Sequence, residues 1–240
     1  VLDNSIGIAW FKIGSVGWIR NSSIEREAVT QTSSAFDIGA LTVGGGVSIE
    51  ECSFGDHGTI RGVQEFVFQR CQMSGLQMLA GARASILDCT DATSDGGVVM
   101  ALGAGAYCEI RNSELHRDFA TLVIDQSAPG SRFVVENSRL EGGLHGVLYS
   151  GDGAGACEIH NCDLVKGSGP MVECAFSATQ ATHDLSNNYW GTTSESDIQG
   201  WVYDHNDNPG RGATVIYSPY SGQSLPTEST TWGDLKAVFR

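Results

Sequence analysis

The chain has 240 residues, with 14 Lys and Arg against 28 Asp and Glu, and a formal net charge of −14 at pH 7. This charge repels phosphate backbones, which argues against nucleic-acid binding. No run of about 18 apolar residues is present, so the sequence predicts no membrane insertion. An acidic chain also disfavours polyanionic glycans unless cations bridge the two, whereas a neutral glycan meets no such penalty.

A seven-residue motif recurs eight times along the chain. Its copies are WIRNSSI (18–24), SIEECSF (48–54), VFQRCQM (67–73), SILDCTD (85–91), EIRNSEL (109–115), VVENSRL (134–140), EIHNCDL (158–164) and DLSNNYW (184–190). Short apolar runs broken by Gly lie between the copies, which indicates further strands and turns rather than helices. One copy per coil predicts an all-β solenoid, a single-stranded right-handed parallel β-helix of about eight coils.

Within each copy, polar and apolar positions alternate around a bend. Positions two, five and seven are mostly apolar or small, and this predicts an interior row of Ile49, Phe68, Ile86, Ile110, Val135, Ile159 and Leu185. Position four marks the bend and holds Asn21, Asn112, Asn137, Asn161 and Asn187. Asn tolerates left-handed backbone, and we expect the stacked asparagines to hydrogen-bond from coil to coil.

The seven cysteines follow the motif rather than a metal or disulfide pattern. Cys52, Cys71, Cys89 and Cys162 occupy position five, where other copies carry Ser22, Ser113 and Ser138. The odd count leaves at least one thiol unpaired, and no C-x-x-C pair is present. The sequence therefore predicts an interior ladder of small packed side chains.

The last 57 residues differ in composition from the coils and hold eight of the twenty aromatic residues. An exposed solenoid end must be covered, so we assign 1–183 to the coils and 184–240 to the last coil and an aromatic C-terminal cap within the same domain. Segments 194–204 and 232–240 are predicted helices, the first with Ile198, Trp201 and Val202 on one face. Asp204, Asn206 and Asn208 place oxygen atoms at alternate positions, as calcium loops do, although an Asx-rich turn has the same pattern.

Residues 187–220 resemble the C-terminal element of bacterial and archaeal parallel β-helix proteins of the broad pectate-lyase-like superfamily. The matching positions are Asn187, Asn188, Trp190, Gly191, Ile198, Asp204, Asp207, Gly212, Ser218 and Pro219, with Tyr189 in place of a Trp. The resemblance implies the same fold and a secreted, periplasmic or cell-surface location. The superfamily includes polysaccharide lyases, polygalacturonases, epimerases, tailspikes and adhesins, and function therefore needs its own evidence. The adjacent Asp pair and Arg-Ile-Lys of polygalacturonases are absent, and Gly143-Leu144-His145-Gly146 is the nearest approach to their Gly-His-Gly.

Two groups of polar residues are candidate sites. Arg111, Glu136 and His160 are predicted to face outward on successive coils, as a ligand-binding cluster or as a charge ladder. The loops leaving the motif carry a second set, namely Asp56, His57, Asp91, Asp95, His116, Arg117, Asp118, Glu141, His145 and Lys166. If these line one edge, His116, Arg117, Asp118 and His145 are the catalytic candidates, for acid–base glycoside cleavage or for calcium-assisted β-elimination.

The absent catalytic signatures, acidic surface and closing tail favour an exported β-helix module without catalysis of its own, serving as a surface or adhesive domain for a polysaccharide or cell-surface glycan. One alternative is a carbohydrate-active lyase, hydrolase or epimerase acting on the flank of the helix. Another is a structural segment of a larger surface protein. Calcium is the one cofactor that the sequence suggests.

Overall fold

The computed structural model describes residues 17–20, 23–24, 36–39, 46–54, 58–62, 65–91, 99–125, 128–151 and 155–225. In chain order the elements are β1 (Gly17–Arg20), β2 (Ser23–Ile24), β3 (Phe36–Gly39), β4 (Gly46–Glu50), β5 (Ser53–Phe54), β6 (Gly58–Arg61), β7 (Glu65–Gln69), β8 (Gln72–Met73), β9 (Leu76–Met78), β10 (Arg83–Leu87), β11 (Thr90–Asp91), β12 (Val99–Ala101), β13 (Tyr107–Arg111), β14 (Glu114–His116), β15 (Leu122–Ile124), β16 (Arg132–Glu136), β17 (Arg139–Glu141), β18 (Leu148–Ser150), β19 (Ala156–His160), β20 (Asp163–Val165), β21 (Val172–Cys174), β22 (Ala181–Asp184), α1 (Glu195–Trp201), β23 (Val202–Tyr203) and β24 (Ala213–Ile216). Asn21, Ser22, Asp56, His57, Asp95 and the predicted helix 232–240 lie outside the described residues.

The strands form three parallel sheets, and each coil from β4 to β21 supplies one strand to each sheet. The first sheet has the order β1-β4-β7-β10-β13-β16-β19-β22-β24, the second β2-β5-β8-β11-β14-β17-β20, and the third β23-β21-β18-β15-β12-β9-β6-β3. Neighbouring strands within each sheet come from successive coils. The predicted fold class, an all-β parallel β-helix solenoid, is confirmed.

The predicted interior row is confirmed. Ile49, Phe68, Ile86, Ile110, Val135 and Ile159 are register partners on successive strands of the first sheet. These side chains and Leu185 are fully buried. Burial of one such side chain contributes about 2 kcal/mol, so the stacked row is a main source of cohesion between coils.

The bend at position four is also confirmed, and it does not depend on asparagine alone. Asn112, Asn137, Asn161 and Asn187 have φ between 51° and 63°. Glu51, Arg70 and Asp88 adopt the same left-handed conformation at φ 53° to 55°. Their neighbours above and below therefore impose the bend, at a cost of about 1–2 kcal/mol for a residue with an ordinary side chain.

Hydrogen bonds between coils run through position five rather than through stacked asparagines. The Cys89 N–H donates to Ser113 Oγ (3.1 Å), and the Ser113 N–H donates to Ser138 Oγ (3.1 Å). The ladder continues from the Ser138 N–H to Cys162 Sγ (3.4 Å) and from the Cys162 N–H to Asn188 Oδ1 (2.9 Å). Among the described residues no side-chain hydrogen bond joins two bend asparagines, and Asn112 instead donates to Asp88 (3.3 Å).

All seven cysteines are free and buried, which confirms the packing interpretation. Hydroxyl and thiol are interchangeable at position five because each is small and accepts a backbone N–H from the previous coil. Ser113 and Ser138 also donate to the carbonyl oxygen two residues earlier, at 2.8 and 2.9 Å. The interchange of Ser and Cys thus has a hydrogen-bonding cause as well as a steric one.

The first predicted C-terminal helix forms as α1, with Ser194 as its N-cap. Ile198 and the preceding Trp190 are fully buried in the same hydrophobic cluster as the coils. The chain leaves the helix at Val202 because β23 pairs there with β21. Within the part of the chain that the structure describes, no helix is long and apolar enough to cross a membrane.

Candidate functional site

The outward side chains of the third sheet form a row along the helix. Its strands are short, and in β9, β12, β18 and β21 the middle residue faces outward between two buried residues. The middle residue of β15, Val123, is itself buried. Parallel register aligns Gln77, Met100, Val123, Tyr149, Glu173 and Tyr203 on successive strands. We call the C-terminal part of this surface the third-sheet strip, defined as Phe119, His145, Tyr149, Glu173 and Tyr203.

Three rings of the third-sheet strip are in mutual contact. The His145 ring centroid lies 4.5 Å from that of Phe119 and 5.3 Å from that of Tyr149, and the Phe119 and Tyr149 centroids are 6.2 Å apart. Phe119 is 40% exposed and the neighbouring Leu144 is 56% exposed. His145 Nδ1 lies 2.7 Å from Glu173 Oε2, so the carboxylate of the next coil fixes the orientation of the imidazole.

Glycines allow the turns that carry Phe119 and His145 to stack tightly. The Leu144 N–H donates to the Asp118 carbonyl (2.8 Å), and the His145 N–H donates to the Phe119 carbonyl (2.7 Å). A Cβ at Gly143 would lie 2.1 Å from the Asp118 carbonyl oxygen, closer than any real contact. The segment Gly143-Leu144-His145-Gly146 therefore serves to hold aromatic side chains at the surface.

An arginine between two rings lies at the C-terminal end of the third-sheet strip. The Arg211 guanidinium carbon is 5.6 Å from the Tyr203 ring centroid and 5.0 Å from that of Phe176. Arg211 also donates to the Cys174 carbonyl. Phe176 and Tyr203 are 64% and 43% exposed. The apolar and aromatic surface thus continues past Glu173 to the last coil.

The structure places Arg111, Glu136 and His160 in one outward row of the first sheet, away from the third-sheet strip. Arg111 Nε lies 3.4 Å from Glu136 Oε2, whereas His160 Nδ1 donates to the Ser186 carbonyl (2.9 Å). The row is therefore a ladder of contacts within the protein. Arg111 and Glu136 are well exposed, so their ion pair contributes well under about 1 kcal/mol.

The four catalytic candidates occupy four different environments. His116 ends β14 on the second sheet, with Nε2 3.7 Å from Glu141 Oε1. Asp118 is exposed in the turn before Phe119, and His145 lies in the third-sheet strip. Arg117 is fully buried. The structure therefore does not gather the four side chains along one edge, and Arg117 cannot contact a ligand at the surface.

Arg117 forms an ion pair inside the solenoid. Its Nη2 lies 3.1 Å from Asp91 Oδ1 and donates to the Met73 carbonyl (2.6 Å). Asp91 is the register partner of Met73 in a row that otherwise points into the core. Burial raises the pKa of Asp91 to about 6, and the Arg117 guanidinium limits that rise. The pair is a structural element of the core rather than a site.

The calcium candidates form an Asx turn that protects a sheet edge. Asp204 is buried, and its Oδ1 accepts the Asn206 N–H (2.8 Å) while its Oδ2 accepts the Val215 N–H (2.8 Å). Asn208 Oδ1 accepts the Gly210 N–H (2.9 Å). Two of the three candidates, Asp204 and Asn208, therefore already use side-chain oxygens to accept backbone N–H groups of the turn and of β24. In the described part of the chain, no group of three or more His, Cys, Asp or Glu side chains could hold a metal ion.

The buried titratable groups are unsuited to surface chemistry. Burial raises the pKa of the Cys162 and Cys174 thiols to about 12, so neither is a reactive thiolate. Burial lowers the pKa of His183 to about 4, and this imidazole lies in the core. The chemistry that the surface offers is therefore aromatic stacking, hydrogen bonding by Glu173, and the His145–Glu173 pair.

The sequence did not single out Phe119, Tyr149, Glu173 or Tyr203. Tyr149 and Glu173 are the middle residues of the three-residue strands LYS and VEC. Strands this short show a single buried–exposed–buried alternation, which many other segments of the sequence also show. Comparison of the chain with protein-family models, with curated proteins and with solved structures found no match. The geometry of the third-sheet strip is therefore the feature that points to a function.

Proposed function

We propose that this protein is a non-catalytic exported β-helix module that binds a glycan along the third-sheet strip and serves as a surface or adhesive domain. The observation that carries the proposal is the contiguous cluster of Phe119, His145 and Tyr149, held at the surface beside Glu173. Aromatic rings stack on the apolar faces of sugars, and a carboxylate accepts hydrogen bonds from their hydroxyl groups.

The surface charge supports a sugar ligand over a nucleic acid. A net charge of −14 opposes the phosphate contacts on which nucleic-acid binding depends. Exposed aromatic residues in a contiguous patch are also unusual on a monomeric protein and mark binding surfaces. A linear glycan can follow the strip because its aligned side chains run along the helix axis across successive coils.

Membership of the pectate-lyase-like superfamily, with its C-terminal cap element, is part of the same proposal. The buried Trp190, the capped helix α1 with Ile198 in the core, and the edge contact of Asp204 with Val215 give roles to residues that carry the resemblance. Export and a bacterial or archaeal source rest on that resemblance.

The test is affinity electrophoresis of the chain through gels containing soluble polysaccharides, guided by a glycan array. Phe119→Ala and Tyr149→Ala should each weaken binding about tenfold, because truncating a central aromatic contact typically costs more than 1 kcal/mol. Tyr107→Ala is the matched control, since Tyr107 faces outward on β13 beneath Arg83 and lies on a different sheet. Full binding by Tyr149→Ala, or loss of binding in Tyr107→Ala, would refute this site.

A carbohydrate-active enzyme is the second candidate, and the His145–Glu173 pair favours it. A histidine oriented by a carboxylate is a common arrangement for a general base, and here the two atoms are 2.7 Å apart. The discriminating measurement is release of reducing ends or unsaturated products from a polysaccharide panel, with and without calcium. Product formation that disappears in His145→Ala but persists in His116→Ala would establish catalysis and overturn the non-catalytic proposal.

A further inference from the structure

The spacing of the two tyrosines in the third-sheet strip restricts the shape of the ligand. Tyr149 pairs in register with Glu173, and Glu173 pairs in register with Tyr203. Neighbouring strands lie about 4.8 Å apart, so the two tyrosine positions are separated by about 10 Å along the helix axis. Between them stands one carboxylate, whose Oε2 pairs with His145 Nδ1 (2.7 Å), and Val123 on the strand before Tyr149 is buried.

From this spacing we infer that the ligand is a neutral β-1,4-linked glycan of the flat-ribbon type, with its chain along the helix axis. The inference rests on the proposed glycan-binding function. In a flat ribbon each sugar is turned over relative to its neighbour, so the same face recurs at every second unit. That repeat is close to the separation of Tyr149 and Tyr203, and the sugar between them faces Glu173. A coiled α-linked chain curves away from a straight row before it reaches the second ring.

The negative charge of Glu173 excludes flat-ribbon glycans that carry carboxylates of their own. Glu173 lies in the middle of the row, where a uronate chain would place a carboxylate beside it. At the C-terminal end, Arg211 is engaged by the Cys174 carbonyl and by the rings of Phe176 and Tyr203. A hydroxyl group beside Glu173 gains a charge-assisted hydrogen bond, whereas a carboxylate is repelled.

The length dependence of binding follows from the same geometry. A disaccharide covers one tyrosine and Glu173, but a third unit is needed to place matching faces on both Tyr149 and Tyr203. We therefore expect affinity to rise about tenfold between the disaccharide and the trisaccharide, and less with each further unit, because the added contact is an aromatic one.

The experiment is isothermal titration calorimetry of the full chain with five hexasaccharides: cellohexaose, mannohexaose, xylohexaose, maltohexaose and hexagalacturonate. The disaccharide and the trisaccharide of the hexamer that binds most tightly are titrated in the same way. At least one of the three neutral β-1,4-linked hexamers should bind about tenfold more tightly than both maltohexaose and hexagalacturonate. Tyr149→Ala and Tyr203→Ala should each remove most of that advantage, while Tyr107→Ala keeps it. Glu173→Gln should raise the affinity for hexagalacturonate relative to wild type.

The outcomes separate this inference from the function on which it rests. Equal or tighter binding of maltohexaose or hexagalacturonate through Tyr149 would overturn the flat-ribbon class and leave glycan binding in place. Binding without any step between disaccharide and trisaccharide would overturn the two-tyrosine register. A complete lack of binding to all five hexamers and to the polysaccharide gels would overturn both proposals.

Discussion

His183 makes the stability of this solenoid depend on pH in a way that one variant can isolate. The side chain is fully buried between coils. Its Nδ1 accepts the Cys157 N–H (3.2 Å), so Nε2 carries the proton and donates to Ser150 Oγ (2.9 Å). Burial lowers the pKa of His183 from its ordinary value of 6.5 to about 4. The fold therefore holds the neutral imidazole.

The sign and size of the effect follow from proton linkage. The unfolded chain takes up this proton near pH 6.5 and the folded chain only near pH 4. Between these values the unfolded state binds more protons, so the free energy of unfolding falls as the pH falls. The full loss is about 3 kcal/mol below pH 4 and vanishes above pH 6.5. Asp91 acts in the opposite direction, because its raised pKa lets the folded chain bind a proton first between about pH 6 and pH 4.

We predict that His183→Gln removes the acid-side loss whatever its effect at neutral pH. Between about pH 7 and about pH 4.5, the unfolding free energy of wild type should fall by about 2–3 kcal/mol more than that of the variant, as measured by urea unfolding at both pH values. His116→Gln removes an exposed imidazole and should keep the wild-type change. The same pH dependence in His183→Gln and wild type would show that burial of His183 does not cause the acid-side loss of stability.

Three further substitutions test the bend, the glycine turns and the buried ion pair. Arg70 has φ 53° and forms an exposed ion pair with Glu51 (3.0 Å). Arg70→Asn should therefore be more stable than Arg70→Ala, which loses the same ion pair, by about 0.5–1 kcal/mol in urea unfolding, and equal stabilities would show that this bend is unstrained. Gly143→Ala should lower the melting temperature sharply because the added Cβ would collide with the Asp118 carbonyl. At Gly200 in α1 an added Cβ meets nothing within 4 Å, so Gly200→Ala should raise the unfolding free energy by up to about 1 kcal/mol. Equal melting temperatures of the two variants would contradict both expectations. Arg117→Met should lower the unfolding free energy by about 3 kcal/mol, because it leaves the Asp91 carboxylate without its partner. The double variant with Asp91→Asn should recover at least half of that loss in urea unfolding, whereas additive losses would show that the two charges are uncoupled.

The fold was predictable because the repeat encodes it locally and repeatedly. Alternation identified interior residues such as Ile110, and Asn112 marked a left-handed bend whose conformation Asn tolerates. The conformation of Glu51 and Arg70 was also predictable, although only from their position in the motif, since neither residue favours it. The exchange of Ser113 for Cys at position five predicted burial, but not the hydrogen bond to the backbone of the previous coil.

The site was less predictable because its residues depend on contacts between coils. Phe119 is exposed because glycines in the next turn let that turn pack against its backbone, which no local pattern reveals. Arg117 lies in a polar segment whose sequence predicts an exposed loop, yet its ion pair with Asp91 of another coil holds it in the core. The outward orientation of Arg111 and Glu136 followed from the alternation of the motif, but the sequence did not show that the two side chains form an ion pair with each other.

The most direct test of the glycan-binding site is NMR of the chain with selectively labelled tyrosine rings, assigned by Tyr→Phe variants of its six tyrosines. Cellohexaose, mannohexaose, xylohexaose and maltohexaose are added in turn. We predict that at least one hexamer shifts the ring signals of Tyr149 and Tyr203 together and leaves that of Tyr107 unchanged. Shifts confined to Tyr107, or no shift of Tyr149 and Tyr203 with any hexamer, would contradict it.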